Sequence, residues 1–305
     1  GRAYPTGGAQ VKGGWHLPLH NLGYALRRRR GGAGLAVTAI VLAGGESRRF
    51  GADKALAPVG GSTMLERALL LARSVADEVV VAGRDPGAPW ASWVPDDASL
   101  PCGGPPRGVA SALAAAGGDE VLVLPVDMPF LAAGALRALL EAVESGAPAA
   151  SVLLGGGSVA ANLLAARRAE LSRALSLACE KGRLGLRVRM TDLLRASGAL
   201  LVGAGLLGGG ALFLDVDYPG DLEAGRAPRG PRRSVRLAGA ARYSRALELL
   251  SSGDRRGAAA ELGLEAASYR RERVWLLELH ALLDRSRLAG RGQARIGVLE
   301  ARLGR

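Results

Sequence analysis

The stretch over residues 37–54, VTAIVLAGGESRRFGADK, constrains this chain more than any other. Six uncharged residues from Val37 to Leu42, β-branched or aliphatic, predict a strand buried on both faces, as in a parallel sheet covered by helices. The apolar run stops at Ala43, Gly44 and Gly45. Adjacent glycines adopt backbone angles closed to other residues and let a ligand approach the main chain, so successive N–H groups can turn toward an anion. Arg48, Arg49 and Lys54 follow within ten residues. A glycine turn leaving a strand, backed by cations, suits a triphosphate.

Lysine usage singles out one of those cations. The chain has 40 Lys plus Arg, yet only Lys12, Lys54 and Lys181 are lysine. Arginine forks across two oxygens, whereas lysine places a compact point charge on one, which fits a single phosphate oxygen in this loop.

The pattern beyond the loop alternates strands and helices. Thr63 and Glu66 have capping-box spacing and open an apolar helical stripe of Met64, Leu65, Ala68, Leu69 and Ala72. Strands are predicted over 78–82, 93–94, 120–125, 149–154, 199–202 and 211–216, and helices over 109–116, 132–144, 169–180 and 186–196. Strand, helix, strand in succession implies right-handed crossovers and a mostly parallel sheet. Asp127 follows the apolar run 120–125 directly, in PVDMPF. Ligands of open parallel sheets lie beyond the carboxyl ends of the strands, where Gly44, Gly45 and Asp127 would meet, and a carboxylate there can hold Mg²⁺ against phosphate oxygens. As a cap for the helix from residue 132 it is poorly placed.

The formal charge of +12 raises the question of nucleic acid, and its distribution answers it. Residues 1–35 carry six Lys/Arg and no acid, residues 231–305 carry 16 basic against 8 acidic residues, and residues 36–230 carry 18 against 20. The central region is therefore near neutral and the basic charge sits at the two ends. Aromatics are only 4% of residues and do not interleave with those ends, which weighs against a nucleic-acid-binding protein built on an inactive transferase fold. Cys102 and Cys179, 77 residues apart with no C-x-x-C spacing, argue against zinc and against a disulfide framework. The longest apolar stretch, 198–214, holds six glycines and falls short of the roughly 20 residues of a membrane span. The basic first 35 residues lack the apolar core of a secretory signal, so the expected setting is cytoplasmic, and a first residue of Gly rather than Met reads as a processed or otherwise non-native end.

LAGGESRRFGADK resembles the signature of the molybdenum cofactor guanylyltransferases, L-A-G-G-x-S-x-R-x-G-x-D-K, within the nucleotidyltransferases of Rossmann-like fold. Leu42, Ala43, Gly44, Gly45, Ser47, Arg49, Gly51, Asp53 and Lys54 match, and Phe50 stands where the family usually has Met. The resemblance extends over about residues 36–230. PVDMPF resembles the family's strand and metal-binding Asp. FLDVDYPGDLE resembles a late motif N/D-x-N/D-T-P-x-D-L whose second acidic or amide residue helps hold the metal; Tyr218 replaces Thr, and Asp215 and Asp217 are expected on one strand, facing one side. Asp97 lies seven residues before GPPRG at 104–108, the distance at which the family has an acidic residue that contacts the nucleotide, and Pro106 departs from the usual Leu.

The resemblance implies an α/β, three-layer Rossmann-like nucleotidyltransferase fold with a mostly parallel sheet. It implies nucleotide binding by Leu42, Ala43, Gly44, Gly45, Lys54, Asp97 and Asp127, catalysis by Arg49, Lys54 and Asp127, and Mg²⁺ on Asp127 and Asp217. The expected activity is GMP transfer from GTP to the phosphate of molybdopterin, with release of pyrophosphate. Alternatives on the same fold are a cytidylyltransferase of the cofactor, or an enzyme acting on a sugar, inositol or cobamide-precursor phosphate. Relatives often place Asn after the second strand to read guanine, whereas this chain has Ala82 and Gly83, so the loop specifies a nucleoside triphosphate better than it specifies the base.

Three domains are expected: a disordered basic extension over 1–35, the transferase domain over 36–230, and a small all-helical unit over 231–305. Helical spacing of Leu, Ala and Val over 234–250, 258–286 and 293–303 supports the last. Docking on the central domain, self-dimerisation and binding of a molybdoenzyme are the roles open to it.

Overall fold

The computed structural model of the chain describes residues 36–44, 53–218, 221, 230–289 and 293–304. The basic extension 1–35 and the loop residues Gly45, Ser47, Arg48 and Arg49 lie outside the described residues.

Strand β1 (Val37–Leu42) is buried along its whole length, as an apolar run without alternation requires. A short hairpin, β2 (Pro58–Val59) and β3 (Ser62–Thr63), leads into helix α1 (Met64–Arg73). There the capping box closes in both directions: Glu66 N–H donates to Thr63 Oγ1 at 3.1 Å, and Thr63 N–H donates to Glu66 Oε2 at 2.7 Å. Then come β4 (Glu78–Ala82), β5 (Ser92–Val94), α2 (Pro105–Ala115), β6 (Glu120–Pro125), α3 (Ala133–Glu144) and β7 (Ala149–Leu153). The chain continues through β8 (Leu164–Arg167), α4 (Arg168–Arg183), α5 (Met190–Ser197) and β9 (Leu200–Gly203). It closes with β10 (Val235–Arg236) and helices α6 (Ala240–Ser251), α7 (Arg255–Glu272), α8 (Trp275–Ala289) and α9 (Gln293–Arg302).

Eight strands form one sheet in the order β10-β9-β7-β8-β6-β1-β4-β5. β1 pairs in parallel with β4 and β6, β4 with β5, and β7 with β9. β8 is antiparallel to both β6 and β7, and β10 to β9, so six strands point one way and two the other. The chain moves from β1 to β4 and β5, then returns to place β6 on the opposite flank of β1. That reversal opens a crevice beyond the carboxyl ends of β1 and β6, where open sheets of this kind bind ligands.

The sheet is covered on both faces. Val37, Ala39 and Val41 face α1 and α3, while Ile40 and Leu42 face α2, α4 and α5. The C-terminal helices lie on this second side: Tyr243, Tyr269, Leu276 and Leu279 share one apolar core with Leu193, Leu194 and Leu201. Burying each large aliphatic side chain there contributes about 1.5–3 kcal/mol.

Two expectations are corrected. Residues 211–216 are not a strand: a 3-10 turn (Gly210–Phe213) stands there, and Asp215 to Asp217 follow in irregular extended chain. The position beside β9 is instead taken by β10. The helical stretch over 258–286 is two helices, α7 and α8, broken where Arg273 adopts φ 57°. Cys102 and Cys179 come together as free, buried thiols with Sγ atoms 3.0 Å apart. Among the described residues no helix is long and apolar enough to cross a membrane.

Candidate active site

Three expected residues meet in the crevice. Lys54 Nζ donates to Asp127 Oδ2 at 3.1 Å and to Asp217 Oδ1 at 2.8 Å. The local chain aims each of them. Asp53 caps a 3-10 turn (Lys54–Leu56) by accepting from Ala55 N–H at 3.1 Å, and its other oxygen pairs with Arg84. Asp127 leaves the end of β6, and its carbonyl oxygen accepts from Val216 N–H at 2.9 Å, which ties the late acidic segment to the strand. Asp221 Oδ2 accepts from the N–H groups of Asp217 and Tyr218 at 2.8 and 2.7 Å, folding that segment into a tight turn. Asp53 lies in the glycine-loop motif and Asp221 in the late acidic motif, and their bracing roles emerge only from the tertiary contacts.

The electrostatics keep the lysine charged. Burial alone would lower Lys54, but Asp127 and Asp217 outweigh it and raise its pKa above the ordinary value. Asp215 is pushed up to about 7, first by the protein crowded around it and then by the charges of Asp127 and Asp217. It is nevertheless solvent-exposed through the cleft, so water moderates that shift.

The donor set suits a hard cation. Asp127 Oδ1 is buried without a hydrogen-bond partner among the described residues, and Asp217 is about half exposed beside it. Among the described residues no three His, Cys, Asp or Glu side chains meet as a metal-ligating group. Two carboxylates, completed by water and phosphate oxygens, match the partial protein shell usual for Mg²⁺.

On the β4 flank of β1, glycines form the floor. Ala43 N–H donates to the Ala82 carbonyl at 3.1 Å, and Gly83 N–H to that of Val94 at 2.9 Å. Gly83 has φ +91°, and a β-carbon on it would stand 2.6 Å from Gly44 Cα. Leu42 and Ala43 are buried beneath, and Gly44 is exposed to the cleft. The carboxylate facing these glycines belongs to Asp96, whose Oδ1 would lie 3.3 Å from a β-carbon on Gly108. Asp97 points elsewhere, its Oδ1 accepting from Ser99 N–H and Oγ at 2.9 and 2.7 Å on the exposed rim. Counting seven residues back from the glycine-proline turn thus finds the right loop but not the carboxylate that faces the floor. Arg107 Nε donates to the Cys102 carbonyl at 2.8 Å and braces the same loop.

On the other flank a cavity of about 580 Å³ opens between the α2 amino end, the residues after Asp127, the 186–191 segment and α8. Asp215 lies in its lining, which places the cavity beside the Lys54 cluster.

A mixed, mostly parallel sheet with a glycine floor and a Lys–Asp cluster at its switch point defines a nucleotide-handling α/β protein of the Rossmann-like nucleotidyltransferase class. Residues 39–196, more than half of the chain, match the model described as the MobA-like NTP transferase domain, and the chain belongs to that family. It is 44% identical over 105 residues to the molybdenum cofactor guanylyltransferase of Xanthomonas euvesicatoria pv. vesicatoria, covering 34% of this chain and 53% of that one. It is 37% identical over 115 residues to a probable molybdenum cofactor guanylyltransferase of Haloferax mediterranei, covering 35% and 55%. The chain thus spans about half the length of these curated relatives. Among solved structures, molybdopterin-guanine dinucleotide biosynthesis protein A of Archaeoglobus fulgidus superposes with a TM-score of 0.51 at 20% identity, over 62% of this chain and 96% of that one, a likeness of fold.

Proposed function

We propose that this protein transfers GMP from GTP to the terminal phosphate of molybdopterin, forming a guanine dinucleotide cofactor and releasing pyrophosphate. The observation that carries the reading is the Lys54 ammonium held between Asp127 and Asp217 beside the glycine floor. The names of the relatives matched over 105 and 115 residues supply the substrates.

In this reading the nucleotide lies over Gly44 and Gly83, with Asp96 at the floor and Leu42 and Ala43 beneath. Gly45 and Arg49 extend the same loop from outside the described residues, and Asp97 lies on its rim. An oxygen of the acceptor phosphate attacks the α-phosphorus in line, the bond to the β-phosphate oxygen breaks, and pyrophosphate leaves. Lys54 and Arg49 stabilise the charge moving onto that leaving group. Asp127 and Asp217 would hold Mg²⁺, which when bound neutralises phosphate charge. Asp53 and Asp221 keep Lys54 and Asp217 in register. Little covalent chemistry is asked of the protein, so positioning and charge suffice.

The deciding experiment is pyrophosphate release with molybdopterin as acceptor and GTP, CTP or UTP as donor. GTP is expected to dominate. Dominance of CTP would transfer the reading to a cytidylyltransferase, an outcome kept in view because Ala82 and Gly83 offer no side chain to read a base. Lys54→Ala and Asp127→Ala are each expected to lower turnover roughly 10²- to 10³-fold with the fold intact; near wild-type turnover in either would sink the assignment.

A further inference from the structure

The 580 Å³ cavity beside the Lys54 cluster has a wall that the family match does not include. Met128, one residue beyond Asp127, and Asp215 line it next to the Lys54 cluster, and Asn162, Arg187, Leu276 and His280 also line it. The last two belong to α8, some 80 residues past the end of the matched stretch.

That wall is fixed in place. His280 Nδ1 and Thr191 Oγ1 lie 2.7 Å apart across the α8–α5 contact. One turn further, Asp284 accepts from Lys181 Nζ at 2.6 Å, from Arg195 at 2.7 Å and from Arg189 at 3.1 Å. At the start of α8, a β-carbon on Gly157 would collide with the Trp275 ring and stand 2.6 Å from the Arg273 carbonyl oxygen. The helix is therefore seated closely on the transferase framework.

The lining also indicates what fits. Leu276 and Met128, otherwise buried, contribute small apolar facets to the lining, and the Asn162 side chain makes no hydrogen bond among the described residues. Arg189 is committed to Asp284, whereas Arg187 is exposed and its guanidinium makes no ion pair or hydrogen bond among the described residues. A lining of mixed polar and apolar groups with one available cation suits a flat heterocycle that carries polar edges and negative charge.

We propose that the acceptor occupies this cavity and that α8 completes it. Leu276 and His280 flank the acceptor's ring system, Asn162 offers its edge a hydrogen bond, and Arg187 attracts its negative charge, while the phosphomonoester reaches the Lys54 cluster past Asp215. The C-terminal helices are then part of the acceptor-specificity machinery. This inference rests on the reading of the acceptor as a phosphate-bearing pterin.

The test uses the full chain carrying Arg187→Gln, Leu276→Ala or His280→Gln, each first checked for a cooperative melt. Two quantities are measured: the KM values for molybdopterin and GTP, and the affinity for a pterin phosphomonoester followed by its own fluorescence. The expected result is a rise of about ten-fold or more in the acceptor KM and in the pterin Kd, with the GTP KM within about two-fold of wild type. Damage to the fold alone would move both KM values together, and Arg187→Gln, at an exposed site, is the variant least exposed to that. Unchanged acceptor KM and pterin affinity in Arg187→Gln and in the α8 variants would overturn the cavity assignment while leaving GMP transfer standing. Absence of pterin binding to the wild type would also overturn it. Pterin binding that the variants weaken, with no nucleotide transfer by the wild type, would support the cavity and overturn the proposed reaction.

Discussion

Gly83 shows how far a single residue is committed to the site. Its φ of +91° lies where an L side chain is strained, and its missing β-carbon is the space that Gly44 occupies. Gly83→Ala is expected to cost about 1–3 kcal/mol in urea denaturation and to weaken GTP binding by displacing Gly44. Gly87→Ala is the control: φ is +64° there, but nothing lies within 4 Å of the added carbon, so stability falls and nucleotide affinity does not. Lys54 was legible from the sequence because lysine is so scarce in this chain. Asp96 was not, because Asp96 and Asp97 are chemically identical neighbours and only the turn of the backbone decides which carboxylate faces the floor.

Elements were legible where local rules and burial agree. The start of α1 follows from Thr63 and Glu66 alone, and Thr63→Ala is expected to lower stability by about 1 kcal/mol in thermal or urea unfolding, with turnover unchanged. β8 was missed because Leu164 to Arg167, in an alanine-rich run that passes straight into α4, has little strand propensity of its own. The slot between β6 and β7 makes it a strand. The opposite error occurred over 211–216, where the apolar stretch ALFLDV was expected to be a strand. Phe213 and Val216 are indeed buried, but Val216 packs with Ala57 and Met64 rather than in the sheet.

At the scale of the whole molecule, a balanced set of buried charges joins the C-terminal helices to the framework. Lys181, Arg189 and Arg195 face Asp192, Glu265 and Asp284, with Arg195 also 4.5 Å above the Tyr243 ring. Removing one member strands the others, so Arg195→Met is expected to cost about 3–5 kcal/mol, read as a lower Tm. Burial would raise Asp284, but Lys181, Arg195 and Arg189 outweigh it and hold the carboxyl well below the ordinary carboxylate range. Its stabilising contribution is therefore complete above about pH 4, the unfolded value, and is lost as pH falls from there toward the folded value. Asp284→Asn should remove that part of the acid dependence, and unfolding free energies measured between about pH 5 and pH 2 should show the shallower slope. An unchanged slope would place the acid sensitivity elsewhere.

Local chemistry was enough for the strand-glycine-lysine opening, the order of most strands and helices, and Asp127, through an unbroken apolar run, a capping pair and an acid at a strand end; Asp217 was picked out by the resemblance of its motif, and the strand expected to carry it is absent. Tertiary structure alone decided that Lys54 bridges those two carboxylates, that Asp96 rather than Asp97 faces the glycines, and that α8 reaches the cavity. Those relations join Lys54 to carboxylates 73 and 163 positions away, Gly44 to Asp96 52 positions away, and Met128 to Leu276 148 positions away. Nothing in local spacing encodes such separations; they are set by which strands adjoin and which buried charges find partners.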